Sequence, residues 1–112
     1  MTEIRDDRPQ GRLEAYEDGQ VIGHIAYFVL DGDPAALVAV HTVVEPAHEG
    51  KGVAGSLVRE LYATAAREGL AVAPLCPYAA KWAERHPDEA PAAPPDLLQA
   101  AKEQLAADPR SW

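Results

Sequence analysis

Two glycines one residue apart, Gly50 and Gly52, follow a proline and precede a run of small and apolar residues in the segment HTVVEPAHEGKGVAGSLV, residues 41–58. Glycine serves where a chain bends tightly or where another backbone or a ligand must come close. A strand that turns into a helix at such a point exposes the first N–H groups of the helix, and these attract anions. The chemistry to expect of residues 50–55 is the holding of a phosphate-bearing ligand, with Lys51 adding a charge. The spacing is not that of a nucleotide P-loop, which needs four residues between its glycines and a closing Gly-Lys-Ser/Thr. It also lacks the third glycine of a dinucleotide fingerprint. Read alone, the same glycines would equally serve a plain tight corner.

Cys76 is the single cysteine of the chain. It follows a short apolar run and precedes Pro77, so it is either a small core residue or a thiol at the C-terminal end of a strand, where ligand sites open. Reactivity would require the thiolate, and the positive end of a helix starting near Tyr78 is the candidate source of that stabilisation. His41, in the strand entering the glycine loop, is a candidate general base, the alternative being a structural histidine. His24 has no visible partner, His48 is expected exposed in the loop, and His86 should end a short helix before Pro87. Tyr78 and Trp82 stand four apart and share a helical face; they are expected to pack, the alternative being a substrate wall. Neither paired cysteines nor a His-x-x-x-His spacing occurs, so no metal is expected.

The elements that must position these residues can be read from periodicity. Residues 1–11, charged and turn-rich, are expected to be a loose start. A first strand then runs from Arg12 to Glu17 and turns at Glu17-Asp18-Gly19. QVIGHIAYFVL, DGDPA and ALVAVHTVV read as strand, turn and strand, and such turn-linked neighbours favour an antiparallel meander. From Gly52 onward the period changes: Val53, Leu57, Val58, Leu61, Tyr62 and Ala65 recur at spacings of three and four, which defines one face of a helix. Gly69 stands where a C-cap glycine belongs. LAVAPL is a short fourth strand and YAAKWAER a short helix. The proline-rich DEAPAAPPD, residues 88–96, reads as a linker of polyproline character. A last amphipathic helix follows, with Asp96 as its N-cap and Leu97, Leu98, Ala101 and Leu105 as its apolar face. That face could dock on the sheet or join a second copy of the chain in a homodimer.

Length and composition narrow the classes of function. A chain of 112 residues with 47% hydrophobic content is one ordinary domain with enough apolar residues for a core. The formal net charge of -8 argues against nucleic acid or an anionic lipid surface as partner. An acidic surface suits a cationic amine. One cysteine, no apolar leader and no long apolar span point to the cytoplasm and away from a membrane.

Val44, Pro46, Gly50, Gly52 and Ala54 form V-x-P-x-x-x-G-x-G-x-A between a strand and an amphipathic helix, and this resembles the acetyl-coenzyme A (CoA) site of the GNAT acetyltransferases. Pro74-Leu75-Cys76-Pro77-Tyr78, followed by Arg85-His86-Pro87, is similar to the second signature of the compact, single-domain branch of that family. The resemblance spans residues 12–88, leaving residues 89–96 as linker and 97–112 as C-terminal helix and tail. It implies an α+β fold with a mixed, mostly antiparallel twisted sheet, a central helix and short C-terminal helices. It also implies transfer of an acetyl group from acetyl-CoA to an amine of a protein or a small molecule. Thr42, Val43 and Val44 would meet the pantetheine arm, and Gly50, Lys51, Gly52, Val53, Ala54 and Gly55 the pyrophosphate. Cys76 would be the reactive group or lie beside the cofactor thiol. Glu49 departs from the Gln or Arg usual at its position and puts an acidic side chain near a polyanion. The helical pair that shapes the acceptor pocket in longer relatives has almost no residues left to build it here, so the acceptor site would be open, borrowed, or built in part by the C-terminal helix. The alternative is a domain that binds CoA, or serves as an interaction module, without catalysis.

Overall fold

The computed structural model describes residues 2–32 and 35–108. Five strands form one sheet in chain order, β1 (Glu3–Asp7), β2 (Arg12–Glu17), β3 (Gln20–Leu30), β4 (Ala36–Val44) and β5 (Ala71–Pro74). The first four run antiparallel, and β5 pairs with β4 in parallel. A parallel neighbour needs a crossover, which is α1 (Val53–Glu68). Two more helices follow, α2 (Pro77–Arg85) and α3 (Pro95–Ala107). The α+β class and mostly antiparallel sheet agree with the sequence expectation.

The expected loose start is instead an edge strand. Glu3, Arg5 and Asp7 pair with Tyr16, Glu14 and Arg12 across the ladder, and Ile4 packs on the core. Charges on a strand at a sheet edge blunt it against pairing with other chains, and they also hide it from a hydrophobicity-based reading. A single 3-10 turn, Arg8–Gln10, leads into β2. Asp18 and Gly19 close the next hairpin with both φ angles positive, the two-residue geometry that matches strand twist. Of the turn expected after β3, Asp33 and Pro34 lie outside the described residues.

The faces of the sheet are built differently. On the first, Leu13, Ile25, Tyr27, Leu37 and Ala39 pack against Val53, Leu57, Val58, Leu61, Tyr62 and Ala65 of α1, and against Ala79 and Trp82 of α2. All six α1 positions read from the period are buried. On the second face, Phe28, Val38 and Ala73 lie under Ala101, with Leu97, Leu98 and Leu105 around it. Helices on both sides explain why β4 begins with an unbroken apolar run, since Ala36 to Ala39 are all fully buried.

The C-terminal segment differs from expectation in two respects. Ala90 is buried in the first core, so residues 89–96 are anchored against the domain rather than a free spacer. The last helix starts at Pro95 with Pro94 as N-cap, leaving Asp96 in its first turn, because proline's fixed φ favours the first helical position. The apolar face of α3 packs on its own sheet, which is one of the arrangements expected for it. Residues 109–112 of the expected tail lie outside the described residues.

Candidate active site

The site begins where two strands part. The ladder between β4 and β5 runs from Ala36↔Ala71 to Ala39↔Pro74 and stops. The N–H groups of Leu75 and Cys76 both donate to the Ala39 carbonyl, at 3.1 and 2.9 Å, and the chain then turns into α2. Beyond that point β4 continues to Val44 without a neighbour on this side. Pro74 and Pro77 explain the break, since proline cannot donate to a ladder and suits a helix start.

A cavity of about 400 Å³ opens from this gap. Thr42 and Val44 of β4 form one wall, Gly50, Gly52, Val53 and Ala54 the floor, and Tyr78 of α2 the opposite wall. Gly52 is the N-cap of α1 at φ 81°, and no side chain caps the helix. The first intrahelical bond is Ser56 N–H to the Gly52 carbonyl, at 3.0 Å. The N–H groups of the first turn therefore face the cavity without a side-chain cap, as an anion site requires. The N-terminus of α2, with Cys76 as N-cap, is also without a side-chain cap and brings a second positive helix end to the same region.

Six of the nine residues expected to hold a cofactor thus line one cavity: Thr42, Val44, Gly50, Gly52, Val53 and Ala54. The other three lie apart from its lining. Val43 has its side chain on the second sheet face and is 49% exposed. Lys51 is exposed beside the floor. Gly55 sits under α2, where an added Cβ would lie 3.5 Å from the Tyr78 hydroxyl oxygen and 3.6 Å from Trp82 Nε1.

The two residues expected to do chemistry are not brought together. Thr42 pairs with Ile25 on the first face, and its Oγ1 lies 3.5 Å from Cys76 Sγ. His41, the preceding residue, points to the second face, where its ring meets His24 edge-on at 5.7 Å. The cause is a bulge: β3 advances one residue from Ala26 to Tyr27 while β4 advances two, from His41 to Ala39, leaving Val40 extra. His24 gains the partner that the sequence did not reveal. Burial holds its pKa below the ordinary histidine value, with Arg12 and His41 adding to the effect. Cys76 is only 3% exposed and lies against Thr42.

Two residues of the site take roles other than the ones first expected of them. Tyr78, expected to pack, is 42% exposed and forms a cavity wall, whereas Trp82, four residues on, is buried between Tyr62 and His86. His48, expected exposed, lines the cavity instead, with its Nδ1 buried. A periodic signal says that two residues share a helical face and cannot say where that face ends. His86 does end α2, its Nδ1 lying 2.8 Å from the Trp82 carbonyl.

The sequence model of the GCN5-related N-acetyltransferases matches residues 12–92, most of the chain. The chain belongs to that family. Solved structures agree on the fold. An aminoglycoside acetyltransferase from an uncultured soil metagenomic sample is 25% identical, with a TM-score of 0.52 over 58% of this chain and 44% of its own. A ribosomal-protein-alanine N-acetyltransferase from Brucella melitensis biovar Abortus 2308 is 24% identical, with a TM-score of 0.58 over 74% and 62%. A predicted acetyltransferase from Clostridium acetobutylicum, solved with acetyl-CoA, is 17% identical, with a TM-score of 0.55 over 67% and 55%. The chain thus spans from 44% to 62% of the length of these three proteins. No curated protein matches it significantly. No helix among the described residues is long and apolar enough to cross a membrane.

Proposed function

We propose that the chain binds acetyl-CoA in the gap between β4 and β5 and transfers the acetyl group to an amine. The observation that carries this reading is the cavity itself, which joins the unpaired end of β4 to the uncapped N-terminus of α1. The N–H groups of Val53 and Ala54 hold the pyrophosphate, assisted by those of the glycine turn. The pantetheine arm lies along Thr42 and Val44, so the thioester reaches the region between Thr42 and Tyr78.

Transfer by this arrangement is direct. A cationic acceptor first gives one proton to solvent; the lone pair so freed bonds to the thioester carbonyl carbon, the C–S bond breaks, and sulfur leaves with its electron pair. The Tyr78 hydroxyl can give that thiolate a proton and regain one from solvent, while the nitrogen loses its second proton to solvent. The acceptor enters an open site, because neither α3 nor the segment before it lines the cavity. The net charge of -8 favours a cationic amine, whether of a protein or a small molecule.

The experiment is calorimetric titration of the protein with acetyl-CoA, followed by an assay for released CoA over a panel of amines. Saturable binding with turnover supports the reading. Binding with no turnover on any amine leaves a CoA-binding module, and absence of binding rejects both.

A further inference from the structure

We propose that His48, backed by Glu17, is the side-chain hydrogen-bond donor that the loop presents to the pyrophosphate of CoA; this rests on the acetyl-CoA reading above. Of the side chains that line the cavity, Glu49 is acidic, and His48 is the one able to carry positive charge. Lys51 is exposed outside the lining. A polyanion in this cavity would therefore find its side-chain cation in His48.

The position of the ring is built by the fold. His48 closes the single 3-10 turn Pro46–His48, and its N–H donates to the Glu45 carbonyl at 2.8 Å. The Glu45 N–H in turn donates to the Ile22 carbonyl of β3 at 2.8 Å, which ties the turn to the sheet. His48 Nδ1 is buried and has no hydrogen-bond partner, and the nearest carboxylate is Glu17 at the end of β2, 3.9 Å away at Oε2. A buried ring nitrogen without a partner is costly, and a small rotation toward Glu17 makes a charge-assisted hydrogen bond. With Nδ1–H committed to Glu17, only a protonated ring can also donate from Nε2 into the cavity. A phosphate there favours that proton, as any close anion favours a cation. Glu17 and Asp18 of the hairpin and Glu45, Glu49 and Lys51 of the turn are the charged groups around it, and the Glu17 carboxylate, 3.9 Å from Nδ1, is the one that approaches the ring. Binding of CoA should therefore draw a proton onto His48.

The test is calorimetry of the full chain with CoA near pH 7.5, in HEPES and in Tris, whose ionisation enthalpies differ, so that proton uptake is read directly. Wild type is expected to take up protons. His48→Gln, which keeps the shape and cannot be protonated, should bind CoA about tenfold more weakly without uptake, the loss of one charge-assisted hydrogen bond. Glu17→Gln should show reduced uptake and a smaller loss. Acetyl-pantetheine, which lacks the pyrophosphate, should bind wild type and both variants alike in an NMR titration. Equal CoA affinity and equal uptake in wild type and His48→Gln overturn the proposal while leaving the acetyl-CoA reading intact. A loss that is the same for acetyl-pantetheine also overturns it, since His48 would then act only on the shape of the loop. Failure of wild type to bind CoA removes the reading and the proposal together.

Discussion

Thr42 and Cys76 meet at 3.5 Å, Oγ1 to Sγ, at the point where β4 and β5 separate. The contact joins the wall of the cavity to the first residue of the turn into α2. It sets Thr42, which lines the cavity, against a thiol that is buried and outside the lining.

The first prediction follows from that order. Cys76 is 3% exposed, so iodoacetamide should label it slowly in the folded protein and rapidly after unfolding. Cys76→Ala should keep acetyl transfer within about tenfold of wild type and lose about 1 kcal/mol of stability through the small cavity left behind. Fast labelling that acetyl-CoA suppresses, together with an inactive Cys76→Ala that still binds cofactor, would show a covalent route instead.

Gly52 tests the anion floor. Its φ of 81° lies in the left-handed region, where a β-branched residue is a genuine outlier. Gly52→Val should cost about 1–2 kcal/mol of stability and abolish acetyl-CoA binding, because the turn must reshape before α1 can start. No atom stands within 4 Å of the added Cβ, so the strain comes from the backbone rather than from a clash. Unchanged affinity by calorimetry, in a variant that remains folded, would put the phosphate elsewhere.

Tyr62 makes a pH-dependent prediction. Its hydroxyl is buried without a partner, and burial pushes its pKa up to about 12. The unfolded chain ionises first, near about pH 10, so the contribution of Tyr62 is complete below that value and lost as pH rises through about 12. Tyr27, whose hydroxyl donates to Asp6, is also raised to about 12 by burial and works in the same direction. Tyr62→Phe should raise stability at neutral pH by about 1 kcal/mol, since it removes an unpaired polar group, and should flatten the alkaline decline. Urea unfolding at neutral and alkaline pH measures both effects.

Ala101 reports on α3. It is fully buried over Phe28, Val38 and Ala73, so Ala101→Asp would bury a charge and should cost more than about 3 kcal/mol. An exposed substitution on the same helix, Lys102→Asp, should change stability by less than about 0.5 kcal/mol. Equal and small effects in thermal melts would mean that α3 does not dock as described.

The sequence by itself determined the local elements and the loop. β2, β3 and β4 begin and end where alternation and turn residues place them, and the α1 face from Val53 to Ala65 follows from a period of three and four. Gly69 caps α1, donating its N–H to the Ala65 and Ala66 carbonyls. These features rest on interactions between near neighbours along the chain, which residue types and spacing encode directly. Tertiary structure alone decided which residues meet. The extra Val40 in β4 sends His41 to the face opposite Thr42 and Cys76, and no feature of VAVHTVV announces a bulge. β1 is a strand because its ladder partner is β2, although its charges carry no strand pattern. His48 approaches Glu17, Arg8 forms a bidentate pair with Glu68 at 2.7 Å, and α3 covers Val38, each across a separation that no local period spans. Periodicity names the faces of an element, and only packing chooses what each face touches.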